Sequence, residues 1–167
     1  LGSDYALIRP EFRVLRKKEI KSWRKGLISF GGADPNNITL EVLWALEGGF
    51  RLRDFEWTVI AGTANPHLVS LENFVSKSQS NIILLKQSNG VAALLANSDF
   101  AIGAAGGMVW ERSCIGIPTL TLGIADNQRY GLEVIKRFKL GETLDITDLT
   151  PTALLQTFLN FLQLYYN

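Results

Sequence analysis

At 167 residues the chain is long enough for one domain with a genuine core, and 47% apolar with 20% charged residues excludes a disordered segment. A net charge of +1 provides no field to attract nucleic acid, so no nucleic-acid partner is expected. Cys114 is the single cysteine, which excludes an internal disulfide and a cysteine-held metal cluster; its apolar neighbours give it a packing role.

In chain order, residues 1–25 have little period-two alternation and become basic (Arg13, Arg16, Lys17, Lys18, Lys21, Arg24, Lys25). They read as a lead-in or linker segment from a preceding domain, with Pro10 placed to open a short helix. The basic cluster is a solvated face or, alternatively, a surface for an anionic partner. Gly26 to Gly31 then forms a buried strand, and Gly31-Gly32-Ala33-Asp34-Pro35-Asn36-Asn37 a loop of turn formers. The following helix has Leu40, Leu43, Trp44 and Leu46 on its apolar side and ends at Gly48-Gly49. Glu56 to Gly62 is a second strand, with a helix starting after Pro66; Asn81 to Lys86 is a third, with a short helix over Asn89–Ala96.

The fourth strand, Phe100-Ala-Ile, runs into Gly103-Ala-Ala-Gly-Gly107 and a helix carrying Trp110 and Glu111. Pro118 to Gly123 is the fifth strand, Asp126 to Lys139 a helix with Tyr130, Val134 and Phe138, and Glu142 to Ile146 the sixth strand. A last helix spans about Leu149 to Leu164, its start marked by Thr150 and Pro151. Short strands alternating with helices predict a doubly wound, Rossmann-like α/β fold, a parallel sheet of about six strands with helices on both faces. Ligands of such sheets bind beyond the carboxyl ends of the strands, where the order reverses. The loops at Gly31, Gly62, Gln87, Gly103 and Gly123 all follow strand ends and are expected to share that edge.

Several of these loops have chemistry to offer. Small residues at Gly106 and Gly107 let a ligand approach the backbone, and the unpaired N–H groups of a first helical turn attract a phosphate. Glu111, about one turn on, leans back toward the same mouth. A diphosphate with a sugar hydroxyl beside it suits that arrangement; otherwise Glu111 is a solvated helix residue. Gly32 and Asp34 bring N–H groups to a phosphate or merely turn the chain, with Asp34 as a local cap. Gly62 is a weaker candidate on its own. Asn127 and Gln128 hold a ligand or stand as exposed amides after an Asp126 cap. No Gly-x-Gly-x-x-Gly fingerprint follows the first strand and no Walker A motif exists, which disfavours hydride transfer and P-loop ATP hydrolysis. His67, the only histidine, begins a helix and reads as a surface residue rather than a base.

In combination, Tyr5-Ala-Leu-Ile-Arg-Pro-Glu-Phe12, Ser29-Phe-Gly-Gly-Ala-Asp-Pro35, Gly103-Ala-Ala-Gly106, Trp110-Glu111, Gly116-Ile-Pro118 and Ala125-Asp-Asn-Gln128 resemble the C-terminal half of the PseG/SpsG family. That family comprises the UDP-sugar hydrolase of pseudaminic acid biosynthesis and related spore coat polysaccharide proteins. It is similar in turn to the UDP-binding half of GT-B glycosyltransferases, particularly the N-acetylglucosaminyltransferase of peptidoglycan synthesis. The resemblance covers nearly the whole chain in the right order.

The resemblance implies a two-domain enzyme with its site in the cleft between halves: residues 26–167 bind the UDP-sugar, and the missing N-terminal domain supplies a histidine that activates water. Glu111 would accept from the ribose hydroxyls, Gly106 and Gly107 would serve the diphosphate, and Asn127 with Gln128 would face the sugar. Gly32 and Asp34 would border the cleft. It implies no catalytic residue on this chain, no metal and no cofactor, and with no apolar run long enough to span a membrane and no signal peptide, a cytoplasmic protein. The chain departs from the family pattern where Ser or Thr usually follows the glycines: here Gly107, Met108 and Val109 stand, without a hydroxyl for phosphate. A glycosyltransferase half using the same site, and a non-catalytic nucleotide-binding module, are the alternatives.

Overall fold

A computed structural model describes residues 7–15, 23–49 and 51–166. Tyr5 of the opening motif and Arg16, Lys17, Lys18 and Lys21 of the basic cluster lie outside the described residues; the cluster's described members Arg13, Arg24 and Lys25 are exposed. Six strands, β1 (Lys25–Ser29), β2 (Glu56–Ile60), β3 (Asn81–Leu85), β4 (Phe100–Ala104), β5 (Thr119–Gly123) and β6 (Gly141–Asp145), form one sheet in the order β3-β2-β1-β4-β5-β6. Every neighbouring pair is parallel. The order reverses between β1 and β4, where the crossovers leave a crevice at the carboxyl edge.

Burial follows position in the sheet. The central β4 and β5 are buried almost throughout, whereas the edge strands β3 and β6 are mostly half-buried, as expected when helices cover both faces of the middle. On one face lie α2 (Ile38–Gly48), α3 (Leu68–Lys77) and α7 (Pro151–Tyr166), through Leu43, Leu46, Leu71, Leu154 and Phe158. The other face takes α1 (Pro10–Val14), α4 (Val91–Ala96) and α5 (Met108–Ile115), through Phe12, Leu95 and Ile115. The last crossover helix, α6 (Arg129–Phe138), follows a short 3-10 turn over Asp126–Gln128 and buries Leu132 and Ile135.

The doubly wound parallel sheet of six strands is as the alternation predicts, with ends shifted by a residue or two. Two helix faces differ. Trp44 is 52% exposed rather than on the apolar side of α2, whose buried side is instead filled by Ile38, Leu40, Val42, Leu43, Ala45 and Leu46. In α6, Tyr130 and Phe138 point outward and the helix is held through Leu132 and Ile135. In both helices aliphatic residues fill the buried side and these aromatics lie off it. Pro10 does open a helix, and Phe12 on that helix is completely buried, so this part of the lead-in segment packs onto the sheet rather than standing away from it. The sulfur of Cys114 is partly buried against the same cluster, its S–H directed at the Phe12 carbonyl at 3.7 Å.

Candidate functional site

All five candidate loops emerge at the carboxyl edge of the sheet, on either side of the β1–β4 switch point. The loops after β1 and β2 touch: a Cβ on Gly62 would lie 2.3 Å from the carbonyl oxygen of Gly32, so only glycine permits this approach. Together with Ser29, Gly31, Thr63, Gln87, Ser88 and Met108 they line an open cleft of about 300 Å³. His67 braces the same two loops. Its Nε2 lies 3.0 Å from the Pro35 carbonyl, and its backbone N–H donates to Asn65 Oδ1 at 2.7 Å.

Asp34 is buried at the base of the β1 loop with φ at 39°, a left-handed conformation that aspartate tolerates. Its oxygens accept from the N–H groups of Ile38 and Thr39, each at 2.9 Å, and from the Thr39 hydroxyl at 2.6 Å. The carboxylate therefore caps α2 and sets the loop that carries Gly32. It bears on the cleft through the backbone only.

Across the switch point, Gly107 is exposed with open space where a side chain would be, at the start of α5. Gly106 lies beneath the amide of Gln128, whose Nε2 is 3.7 Å from where a Cβ would stand. Gln128 Oε1 accepts from the Ile124 N–H at 3.1 Å, which closes the β5 loop on itself and holds the amide beside the glycine turn. Asn127 is exposed at the tip of that loop. Met108 reaches back under the turn, with its sulfur 4.0 Å from the Ser29 hydroxyl.

Two arginines complete the picture, and sequence reasoning assigned neither a role. Arg9 Nε donates to Glu111 Oε1 at 2.8 Å and Nη2 to Oε2 at 3.2 Å, a side-on pair across 102 positions. Glu111 holds the guanidinium in its charged form, raising the Arg9 pKa above the ordinary arginine value against a lowering by burial. Nothing local in the sequence signals a partner so distant. Arg112 is 2% exposed and donates from Nη2 to the Ala104 carbonyl at 2.6 Å. Burial pushes its pKa down to about 10, with the charge of Glu111 acting in the opposite direction. An arginine three residues from Val109 and three from Ile115, on the buried stripe of α5, was the readable signal.

Chemically, the edge offers the exposed glycine turn that opens α5, where the N–H groups of Val109 and Trp110 are already taken by the Gly106 and Gly107 carbonyls at 2.9 and 3.3 Å, with a buried arginine on the same helix, a carboxylate in its first turn and an open cleft nearby. That set suits a polyanion carrying hydroxyl groups. Among the described residues no group of acidic, histidine or cysteine side chains is arranged to hold a metal ion, and no helix is long and apolar enough to cross a membrane.

No family model matches the chain. It is 30% identical over 129 residues to the spore coat polysaccharide biosynthesis protein SpsG of Bacillus subtilis, a match covering 76% of this chain and 38% of SpsG. The chain thus spans well under half of that relative. Among solved structures, MurG of Acinetobacter baumannii superposes with a TM-score of 0.63 at 17% identity, over 95% of this chain and 46% of MurG. The spinosyn rhamnosyltransferase SpnG, complexed with thymidine diphosphate, gives 0.61 at 16% identity, over 88% of this chain and 41% of SpnG. The sequence similarity and the shared sheet make this chain an SpsG-like protein with the fold of a GT-B glycosyltransferase C-terminal domain.

Proposed function

We propose that the chain is the nucleotide-sugar-binding half of a UDP-sugar hydrolase, releasing UDP from a diacetamido-trideoxy sugar of the pseudaminic acid type or a related surface polysaccharide precursor. The observation that carries this reading is the carboxyl-edge juxtaposition of the Gly106–Gly107 turn with Glu111 at the switch point, in a chain similar to SpsG. The diphosphate lies against the first turn of α5, and the ribose diol donates to Glu111. The base extends along the cleft beside Gly32 and Gly62, and the sugar meets Asn127 and Gln128. The thymidine diphosphate of SpnG supports a nucleoside diphosphate as the ligand class.

In hydrolysis the bond between the sugar and the diphosphate breaks and negative charge grows on the departing UDP. Aligned N–H groups, with Arg112 behind them, stabilise that charge more than the ground state, which is how a binding half contributes to rate. The water-activating base belongs to a preceding domain, joined through residues 1–25, outside this chain. Transfer of the same sugar to an acceptor is the second reading, favoured by the glycosyltransferase fold of MurG and SpnG.

Calorimetry with UDP and CDP tests the shared prediction. UDP is expected to bind, and Glu111→Ala to lose on the order of tenfold or more in affinity, the worth of hydrogen bonds to a charged acceptor. A variant that binds as well as wild type removes Glu111 from the site. The complete reading frame then separates the chemistries, since a histidine in a glycine-rich loop of the preceding domain favours hydrolysis over transfer.

A further inference from the structure

The carboxylate assigned above to the ribose already has a partner. Only 10% of the Glu111 side chain is exposed, and both its oxygens accept from the one guanidinium of Arg9, at 2.8 and 3.2 Å. This side-on fork takes up the facing edge of the carboxylate. Arg9 is itself 51% exposed, so the guanidinium stands between the buried carboxylate and solvent. A vicinal diol presents two O–H donors to the same two oxygens and needs the same edge.

The guanidinium has other anchors within reach. Its Nη1 lies 3.6 Å from Oε1 of Glu11, and its central carbon 4.7 Å from the centroid of the Phe12 ring. Phe12 is fully buried and holds α1 in place whichever carboxylate Arg9 grips.

We propose that Arg9 and the vicinal diol of the ligand exchange on Glu111: the guanidinium neutralises the buried carboxylate in the empty protein and moves to Glu11 when the diol binds. The proposal rests on the ribose role given to Glu111 above. Arg9 is a positioning residue in this scheme, a built-in competitor that lowers affinity for diol-bearing ligands and leaves other ligands untouched.

Calorimetry of wild type, Arg9→Met and Arg9→Lys with UDP and with its dideoxy analogue, which lacks both ribose hydroxyls, provides the test. NMR of the Arg9 Nε–H group during the UDP titration adds a direct readout. Arg9→Met is expected to bind UDP about three- to fivefold more tightly than wild type, the scale of a solvent-accessible ion pair. Arg9→Lys returns toward wild type, the dideoxy analogue binds all three proteins alike, and the Arg9 resonance moves with saturation by UDP. UDP binding by Arg9→Met that is equal to or weaker than wild type overturns the exchange. Weakening of both ligands makes Arg9 a phosphate contact, and weakening of UDP alone makes it a brace that aims Glu111. A wild type that binds no UDP, or a Glu111→Ala variant that binds it undiminished, fails the ribose reading itself and the exchange with it.

Discussion

Arg112 occupies its place at a cost to the fold. Its Nη1 lies 2.7 Å from where a Cβ on Gly103 would be, so the guanidinium fits against β4 only because the strand has glycine at that position. One short hydrogen bond to Ala104 holds it, while Nε has no acceptor among the described residues. Because burial holds the folded pKa, about 10, below the ordinary arginine value, both states are protonated at neutral pH and the desolvation penalty is fully present there. Between those values the unfolded chain holds a proton that the folded chain has released, so stability contributed by this group rises with pH. Replacing buried ion pairs by well-packed apolar side chains is often neutral or stabilising by about 1–4 kcal/mol, and among the described residues Arg112 has no side-chain acceptor that its removal would strand. Arg112→Met is therefore expected to unfold at an equal or higher urea concentration than wild type and to bind UDP more weakly. Destabilisation by more than about 2 kcal/mol would mean that the bond to Ala104 outweighs the cost of burial.

At the scale of elements, the loops are shaped by caps more than by contacts with each other. Asp34 satisfies two N–H groups of α2 and the Thr39 hydroxyl, so Asp34→Ala strands three donors in a buried place. A loss of about 2–3 kcal/mol is expected in urea unfolding, with Asp34→Asn retaining part of it. An alanine variant as stable as wild type would show that water or a neighbour takes over the cap. The Gly-Gly-Ala-Asp sequence alone left this cap and a phosphate loop as equal alternatives, because both need the same left-handed and glycine geometry. The strands were legible because a fully buried parallel strand, such as Thr119–Gly123, is a short apolar run bounded by turn formers. Trp44 and Phe138 were not, since an aromatic at helical spacing looks apolar whichever way the helix is rolled. Arg9 was invisible as a partner of Glu111 for a different reason: no local periodicity connects residues brought together only by the packing of α1 on α5.

For the whole molecule, the sheet order brings the candidate groups to one edge, and under the proposed function that edge binds while a preceding domain completes the reaction. His67 is the only histidine, and its imidazole is engaged with the Pro35 carbonyl, bracing the loops after β1 and β2. A carbonyl only accepts, so Nε2 carries the ring proton in that contact and His67 serves there as a donor that fixes a loop. The match to SpsG covers 38% of that relative. The division of labour proposed above then makes a direct prediction: incubated with the UDP-sugar, this chain binds it but releases no UDP, and release appears when the preceding domain is restored. In the restored protein His67→Ala is expected to keep most of the activity, with any loss traceable to loosened loops and seen as a higher KM rather than a lower kcat. UDP release by the chain alone that survives His67→Ala would place the chemistry on the carboxyl edge itself, and the binding-half reading would fall.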